Sequence, residues 1–78
     1  MRGIRGEPAE VWVRHGKPAR FVWRGRMHTV IFVLDHRSAE APARECWTVE
    51  ATPERGVPPA TYELCRDAAT QRWTLTRG

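Results

Sequence analysis

Arginines and a tryptophan recur in the first third of the chain at spacings that could meet a phosphate backbone. The candidate binding residues are Trp12, Arg14, Lys17, Arg20, Arg24 and Arg26. Arginine grips phosphate in a bidentate fork, and an exposed aromatic ring offers a surface on which a base can stack. Residues 1–30 hold seven Lys or Arg residues against two acidic ones, so the positive charge is concentrated there. This pattern predicts weak binding of single-stranded DNA or RNA.

Strand geometry offers a plainer explanation of the same residues. Side chains alternate between the two faces of a strand, which places Arg20 and Arg24 outside when Phe21 and Trp23 are inside. A stacking platform instead needs its aromatic rings on the same exposed face as its cations. Trp12 leaves both interpretations open, because either Trp12 or its two valine neighbours must face solvent. The alternative to a binding surface is a solvated basic face over an apolar core.

The two cysteines, Cys46 and Cys65, could form a cross-strand disulfide or supply half of a metal site. A structural zinc site needs four ligands, usually in close pairs, and the chain has no C-x-x-C motif. A protein kept in a reducing compartment most simply holds such cysteines as free thiols. We therefore expect unreactive thiols and no metal.

Three histidines invite a catalytic interpretation that their surroundings do not support. His15 falls in a turn, and His28 is expected to pack opposite Phe21. Asp35 and His36 are neighbours in a predicted strand, so their side chains point to opposite faces. The sequence shows no Ser/His/Asp or Cys/His arrangement, glycine-rich phosphate loop or paired carboxylates in a cleft. We predict that the protein is not an enzyme and needs no cofactor.

Short apolar runs, bounded by Gly, Pro or Asp and mostly alternating with polar residues, predict an all-β fold. The expected strands cover residues 10–14, 19–23, 26–36, 45–51, 61–66 and 71–76. An antiparallel meander of this size usually curls into a small SH3-like or OB-like barrel, because closure removes exposed edges. Residues 37–44 are expected to form a loop. We expect a flexible basic arm over residues 1–7 and one β domain over 8–78.

The register of the later strands can be predicted from their apolar faces. Placing Trp47 opposite Leu64 also sets Cys46 opposite Cys65, and a four-residue turn from Asp67 would set Leu64 opposite Trp73. The third strand differs, since it is apolar on both faces. Such a strand is either covered on both sides or bends through a barrel corner.

Composition excludes a membrane helix and favours the cytoplasm. Hydrophobic residues make up 41% of the 78 positions, and no run approaches the ~18 apolar residues that a membrane helix needs. The N-terminal arginines have no apolar run behind them, so no secretory signal is expected.

The order of several motifs resembles a family of small bacterial proteins, common in high-GC bacteria and classed as a domain of unknown function. The motifs are "RFVWRGRMHTV", "VLDH", "ECWTVEA", "YELCRD" and "RWTL", and the likeness runs from Pro8 to Leu75. The matching characteristic positions are Trp23, Arg24, Gly25, Arg26, Leu34, Asp35, Trp47, Tyr62, Glu63 and Leu64. Members occur near genes of the error-prone mutasome, so the resemblance implies an accessory role in DNA damage tolerance.

The same resemblance implies a second kind of partner, a translesion-polymerase-like protein. Docking would use an exposed strand edge or the segment 37–44. Family members often carry a longer, tryptophan-rich insertion after His36, where this chain has only "RSAEAPARE". If that insertion forms a partner-binding edge, this chain has lost the edge or binds its partner more weakly.

Overall fold

The computed structural model describes residues 6–40 and 43–77, which form six antiparallel strands closed into a barrel. The strands are β1 (Glu7–Arg14), β2 (Lys17–Trp23), β3 (Arg26–Glu40), β4 (Ala43–Thr52), β5 (Ala60–Asp67) and β6 (Trp73–Arg77). Each strand pairs with the next along the chain, and β6 pairs with β1. The predicted all-β barrel is confirmed. The described residues include no helix of the length and apolarity that a membrane crossing requires.

Closure of the barrel begins at Glu7, one residue before the expected start of the domain. Glu7 lies opposite Leu75, and its carboxylate accepts hydrogen bonds from the Trp23 indole at 3.0 Å and from Arg24 at 2.9 Å. The last residue of the expected arm is therefore part of β1. Residues 1–5 of that arm lie outside the described residues.

Two tight hairpins join β1 to β2 and β2 to β3. Their central residues, His15-Gly16 and Arg24-Gly25, all have positive φ angles between 53° and 78°. Two-residue hairpins of this kind match the right-handed twist of the strands, and glycine takes such angles without steric cost. The Arg24-Gly25 hairpin is confirmed. The first turn is shorter than predicted, since Lys17 and Pro18 already belong to β2.

The core fills the barrel with apolar side chains from four of the six strands. Its buried apolar members are Phe21, Trp23, Trp47, Val49, Ala51, Tyr62, Leu64 and Leu75. Trp47 lies opposite Leu64 and Val49 opposite Tyr62, as the alternation predicts. Because one face of β4 and β5 is buried, a slip by one residue would expose this whole set, and the register is therefore well specified.

The predicted pairing of Leu64 with Trp73 is wrong by two residues, because Leu64 lies opposite Leu75. Asp67 remains in β5, and the connection to β6 takes five residues instead of four. The Asp67 carbonyl accepts the Gln71 N–H at 2.8 Å, and Gln71 has a φ of 61°. A shift of two preserves the face, which is why Leu75 is still buried.

The loop predicted over residues 37–44 is also wrong. Strand β3 continues to Glu40 and β4 begins at Ala43, with Ser38 opposite Glu45 in an unbroken ladder. These residues have low strand propensity, but pairing with the neighbouring strand outweighs propensity.

Strand β3 resolves its two-sided apolar pattern by bending. The ladder with β4 passes over Ile31 and again over Leu34, so each is an extra, unpaired residue in a β-bulge. The alternative of a bent strand is therefore confirmed over that of a strand covered on both faces. All four residues from Ile31 to Leu34 are exposed, and Phe32 is 60% exposed.

The cysteines are bonded to each other, so the prediction of free thiols is wrong. Cys46 and Cys65 lie directly opposite on β4 and β5, as predicted, and form a disulfide. The predicted register already allowed a disulfide, because directly opposed residues on neighbouring strands have their Cβ atoms close together.

His28 is part of the core, as its predicted position opposite Phe21 indicated. It is 4% exposed, stacks on the Phe21 ring at 4.9 Å and packs against Tyr62. Its Nδ1 atom lies 2.9 Å from the Arg26 carbonyl oxygen, to which it donates as Nδ1–H. Burial lowers the pKa of His28 from its ordinary value of 6.5.

We expect the free energy of unfolding to fall as the pH drops below 6.5, the ordinary pKa of histidine. In this window the unfolded chain binds a proton at His28 that the folded barrel resists, so acid favours unfolding, by at most about 1.4 kcal/mol per pH unit. Urea unfolding at a series of pH values measures the slope. The variant His28→Phe should flatten it, whereas His15→Asn, in an exposed turn, should not. An unchanged slope in His28→Phe would refute this assignment.

Candidate nucleic-acid interface

The exposed face of β1, β2 and β3 carries a row that begins with Trp12. Trp12 lies opposite Arg20, and Arg20 lies opposite Thr29. Directly opposed residues present their side chains on the same face of a sheet. Val11 packs against the core, and Trp12 is 46% exposed. The structure thus places the tryptophan outside, beside an arginine, and answers the question that alternation left open.

Two further cations extend this row towards the first hairpin. Arg14 lies opposite Lys17, and Arg14 is two residues from Trp12 on the same strand. The register shifts by one residue here, with Ala19 as the extra residue on β2. This bulge keeps Lys17 and Arg20 on one face even though they are three residues apart.

These side chains form one wall of an open groove of about 780 Å³, and residues 29–33 of β3 form the other. Trp12, Arg20 and Phe32 are among its lining residues, as are Arg14 and Lys17. An aromatic ring therefore lines the groove from each of its two walls. Phe32 was not among the predicted binding residues. The two-sided apolar pattern of β3 was the only sign that one of its aromatic residues faces solvent.

The charged side chains that line the groove, Arg14, Lys17 and Arg20, are all positive. None of the described residues that line it is acidic. Arg14, Lys17 and Arg20 form no ion pair with any residue that the structure describes. The acids closest along the strands are Glu10, two residues before Trp12, and Glu50, opposite Phe32 on β4. The groove can therefore attract an anion without first releasing an internal partner.

Arg24 and Arg26 lie apart from this groove and are already ion-paired. Arg24 contacts Glu7 at 2.9 Å, and Arg26 contacts Glu54 at 3.0 Å. Hydrogen bonds from Arg24 and then from Trp23 hold the pKa of the Glu7 carboxyl below its ordinary value. Four of the six predicted binding residues therefore line the groove: Trp12, Arg14, Lys17 and Arg20. The other two, Arg24 and Arg26, lie outside it and are ion-paired with acidic residues.

The outer part of β3 has a free edge. Its ladder with β2 ends at Thr29, and from Val30 to Glu40 its pairing among the described residues is with β4 alone. Unpaired backbone N–H and C=O groups along such an edge can hydrogen-bond an added strand. Four of the apolar residues on this edge, Val30 to Val33, line the groove, and Leu34 lies just beyond it.

On the other side of the barrel, several arginines meet carboxylates. Arg37 contacts Asp35 and Glu63 at 3.3 and 3.2 Å, and Arg66 contacts Glu45 at 2.7 Å. Hydrogen bonding to Arg66 is the main cause that lowers the pKa of Glu45. These neighbourhoods are closer to neutral than the groove is.

One group of side chains has donor atoms close enough to hold a metal ion, Cys46, Cys65 and Glu63, whose ligand atoms lie within 4.8 Å of one another. The two sulfurs are bonded to each other and are not thiolate ligands in this state. The arrangement therefore supports no metal site while the disulfide is present.

Comparison with models of protein families, with curated proteins and with solved structures finds no match to this chain. The resemblance to the bacterial family accordingly stays a prediction.

Proposed function

We propose that this barrel binds single-stranded nucleic acid in the groove between its first hairpin and β3, without catalysis. One observation carries the proposal. Two exposed aromatic rings, Trp12 and Phe32, share an open groove with three cations that no described acid neutralises. Single-strand binding proteins combine these same two elements, a basic groove for the backbone and aromatic rings for the bases.

The cations and the rings have different tasks in this mechanism. Arg14, Lys17 and Arg20 contact successive phosphates and release counterions, which gives affinity without sequence preference. Trp12 and Phe32 stack on bases, and every base offers a ring face. With few phosphate contacts the affinity is modest, which suits an accessory protein. The family resemblance suggests DNA damage tolerance as the setting.

Titration of a labelled oligothymidine with the protein, at several salt concentrations, tests this proposal. Three phosphate contacts predict that log K falls with log[salt] with a slope of about −2, from about −0.7 per contact on a single strand. Trp12→Ala should weaken binding by about 1–3 kcal/mol, or about 5- to 150-fold, and leave this slope unchanged.

The matched control is Trp73→Ala, which removes a half-buried tryptophan on β6 that does not line the groove. The folded molecules of the Trp73→Ala variant should bind the oligothymidine with the affinity of the wild type. Absence of binding at low salt with high micromolar protein would refute the proposal.

A protein-docking function is the second candidate, and the free edge of β3 favours it. An extended segment of a translesion-polymerase-like protein could pair with this edge. Leu34→Lys tests this role, since an exposed lysine blocks edge pairing and Leu34 does not line the groove. If the protein docks in this way, its association with a protein partner should survive nuclease treatment. The Leu34→Lys variant should lose that association and keep its affinity for DNA.

A further inference from the structure

The Cys46–Cys65 disulfide lies on the outside of the barrel, at positions that face each other across two neighbouring strands. Trp47 and Leu64, the adjacent residues, point into the core, so the cysteines point outward. Both cysteines are only half-buried. A small reagent in solution can therefore approach the sulfur atoms.

The strands that carry the cysteines are held together without the disulfide. Strands β4 and β5 pair from Arg44 opposite Asp67 to Ala51 opposite Ala60, on both sides of the cysteine pair. Their inner face contributes most of the buried core. Reduction therefore leaves the two sulfurs facing each other in the same register. The oxidised and reduced proteins are expected to share one fold.

Arginines surround the disulfide. A depression of about 220 Å³ beside Cys46 is lined by Arg37 and Arg44, and one of about 310 Å³ beside Cys65 is lined by Arg44 and Arg72. Arg44 borders both depressions and pairs with no acid among the described residues.

Two acids are also close to the sulfurs, and each has a partner. The Glu63 carboxylate binds Arg37 at 3.2 Å, and the Asp67 carboxylate accepts backbone N–H groups at 2.8 and 3.0 Å. Arg37 is shared between Glu63 and Asp35, whereas Arg44 and Arg72 pair with no acid among the described residues. These two free arginines favour a thiolate over a thiol and attract anions.

We propose that Cys46–Cys65 is a redox-active disulfide that exchanges with small anionic thiols. The thiolate of the small molecule attacks one cysteine Sγ, the S–S bond breaks, and the other cysteine leaves as a thiolate beside Arg44. A second small thiolate then attacks the small-molecule sulfur of the mixed disulfide. Two small thiolates are oxidised to their disulfide, and the protein disulfide is reduced to two thiolates, which take up protons according to the pH.

Reduction rates of the folded protein with three thiols of different charge test this proposal. The probes are glutathione, which is anionic, 2-mercaptoethanol, which is neutral, and cysteamine, which is cationic. Each rate constant is expressed per thiolate. It is then divided by the rate constant of the same thiol with a small neutral disulfide, so that differences in the intrinsic reactivity of the three thiols cancel. Glutathione should exceed cysteamine by about tenfold. Circular dichroism should show an unchanged fold throughout.

Arg44→Glu should abolish or reverse this ranking, whereas Arg14→Glu, in the nucleic-acid groove, should preserve it. Equal rates for the three thiols would overturn the proposal, as would reduction that occurs only when the barrel unfolds. The outcome is independent of nucleic-acid binding, because Arg44 does not line the groove.

Discussion

Replacing Arg14 and Arg20 together with glutamate is expected to weaken single-stranded DNA binding by at least about 150-fold. A hydrogen bond to a charged group contributes about 1.5–3 kcal/mol, and each of these arginines is predicted to form one to a phosphate. The two losses together amount to about 3 kcal/mol or more, and the new carboxylates add repulsion. The slope of log K against log[salt] should also shrink to roughly −0.7, which is the value for the remaining contact of Lys17.

The matched control reverses two arginines outside the groove, in the double variant Arg26→Glu/Arg55→Glu. It has the same net charge as the groove variant, and neither residue lines the groove. Its affinity should fall only by the small amount that the overall charge produces. Equal losses in the two variants would mean that net charge, and not this groove, determines binding.

Trp47→Ala is expected to remove a large share of the stability of the barrel. Trp47 is 2% exposed, stacks on His36 at 4.6 Å and packs against Trp73 at 5.3 Å. Truncating a buried Trp or Phe costs about 3–5 kcal/mol. A domain of 78 residues typically has about 4–12 kcal/mol in total. Urea unfolding followed by circular dichroism should show a much lower midpoint or no cooperative transition.

Phe32→Ala is the natural comparison, since it also truncates an aromatic side chain, but one that faces solvent. A surface substitution of this kind usually changes the free energy of unfolding by less than about 0.5 kcal/mol. DNA affinity should fall instead, because Phe32 is one of the two rings in the groove. A large loss of stability in Phe32→Ala would place this ring in the core and contradict the structure of β3.

The fold was predictable from the sequence wherever a strand has one apolar face. Trp47 and Val49 on β4, with Tyr62 and Leu64 on β5, allow one register that buries all four, and the structure has it. The predictions failed where the backbone conformation of a turn or pairing with a neighbouring strand determines where a strand begins or ends. The conformation of Gln71 lengthens the last turn, and pairing with β4 extends β3 over residues with low strand propensity.

The candidate site was only partly predictable, because its surroundings depend on how the barrel closes. Arg24 meets Glu7 and Arg26 meets Glu54, partners 17 and 28 residues away. Alternation along one strand carries no information on such distant pairs. The exposure of Phe32 likewise follows from the bulge at Ile31, which changes the face of the residues that follow it until the second bulge at Leu34.

Chemical-shift mapping of the ¹⁵N-labelled protein with a short oligothymidine at low salt tests the location of the binding site most directly. The amides of residues 12–17, 19–20 and 29–33 should shift on titration, and those around the Arg24-Gly25 hairpin should not. Shifts centred on that hairpin, or no shifts at all, would show that single-stranded DNA does not bind in this groove.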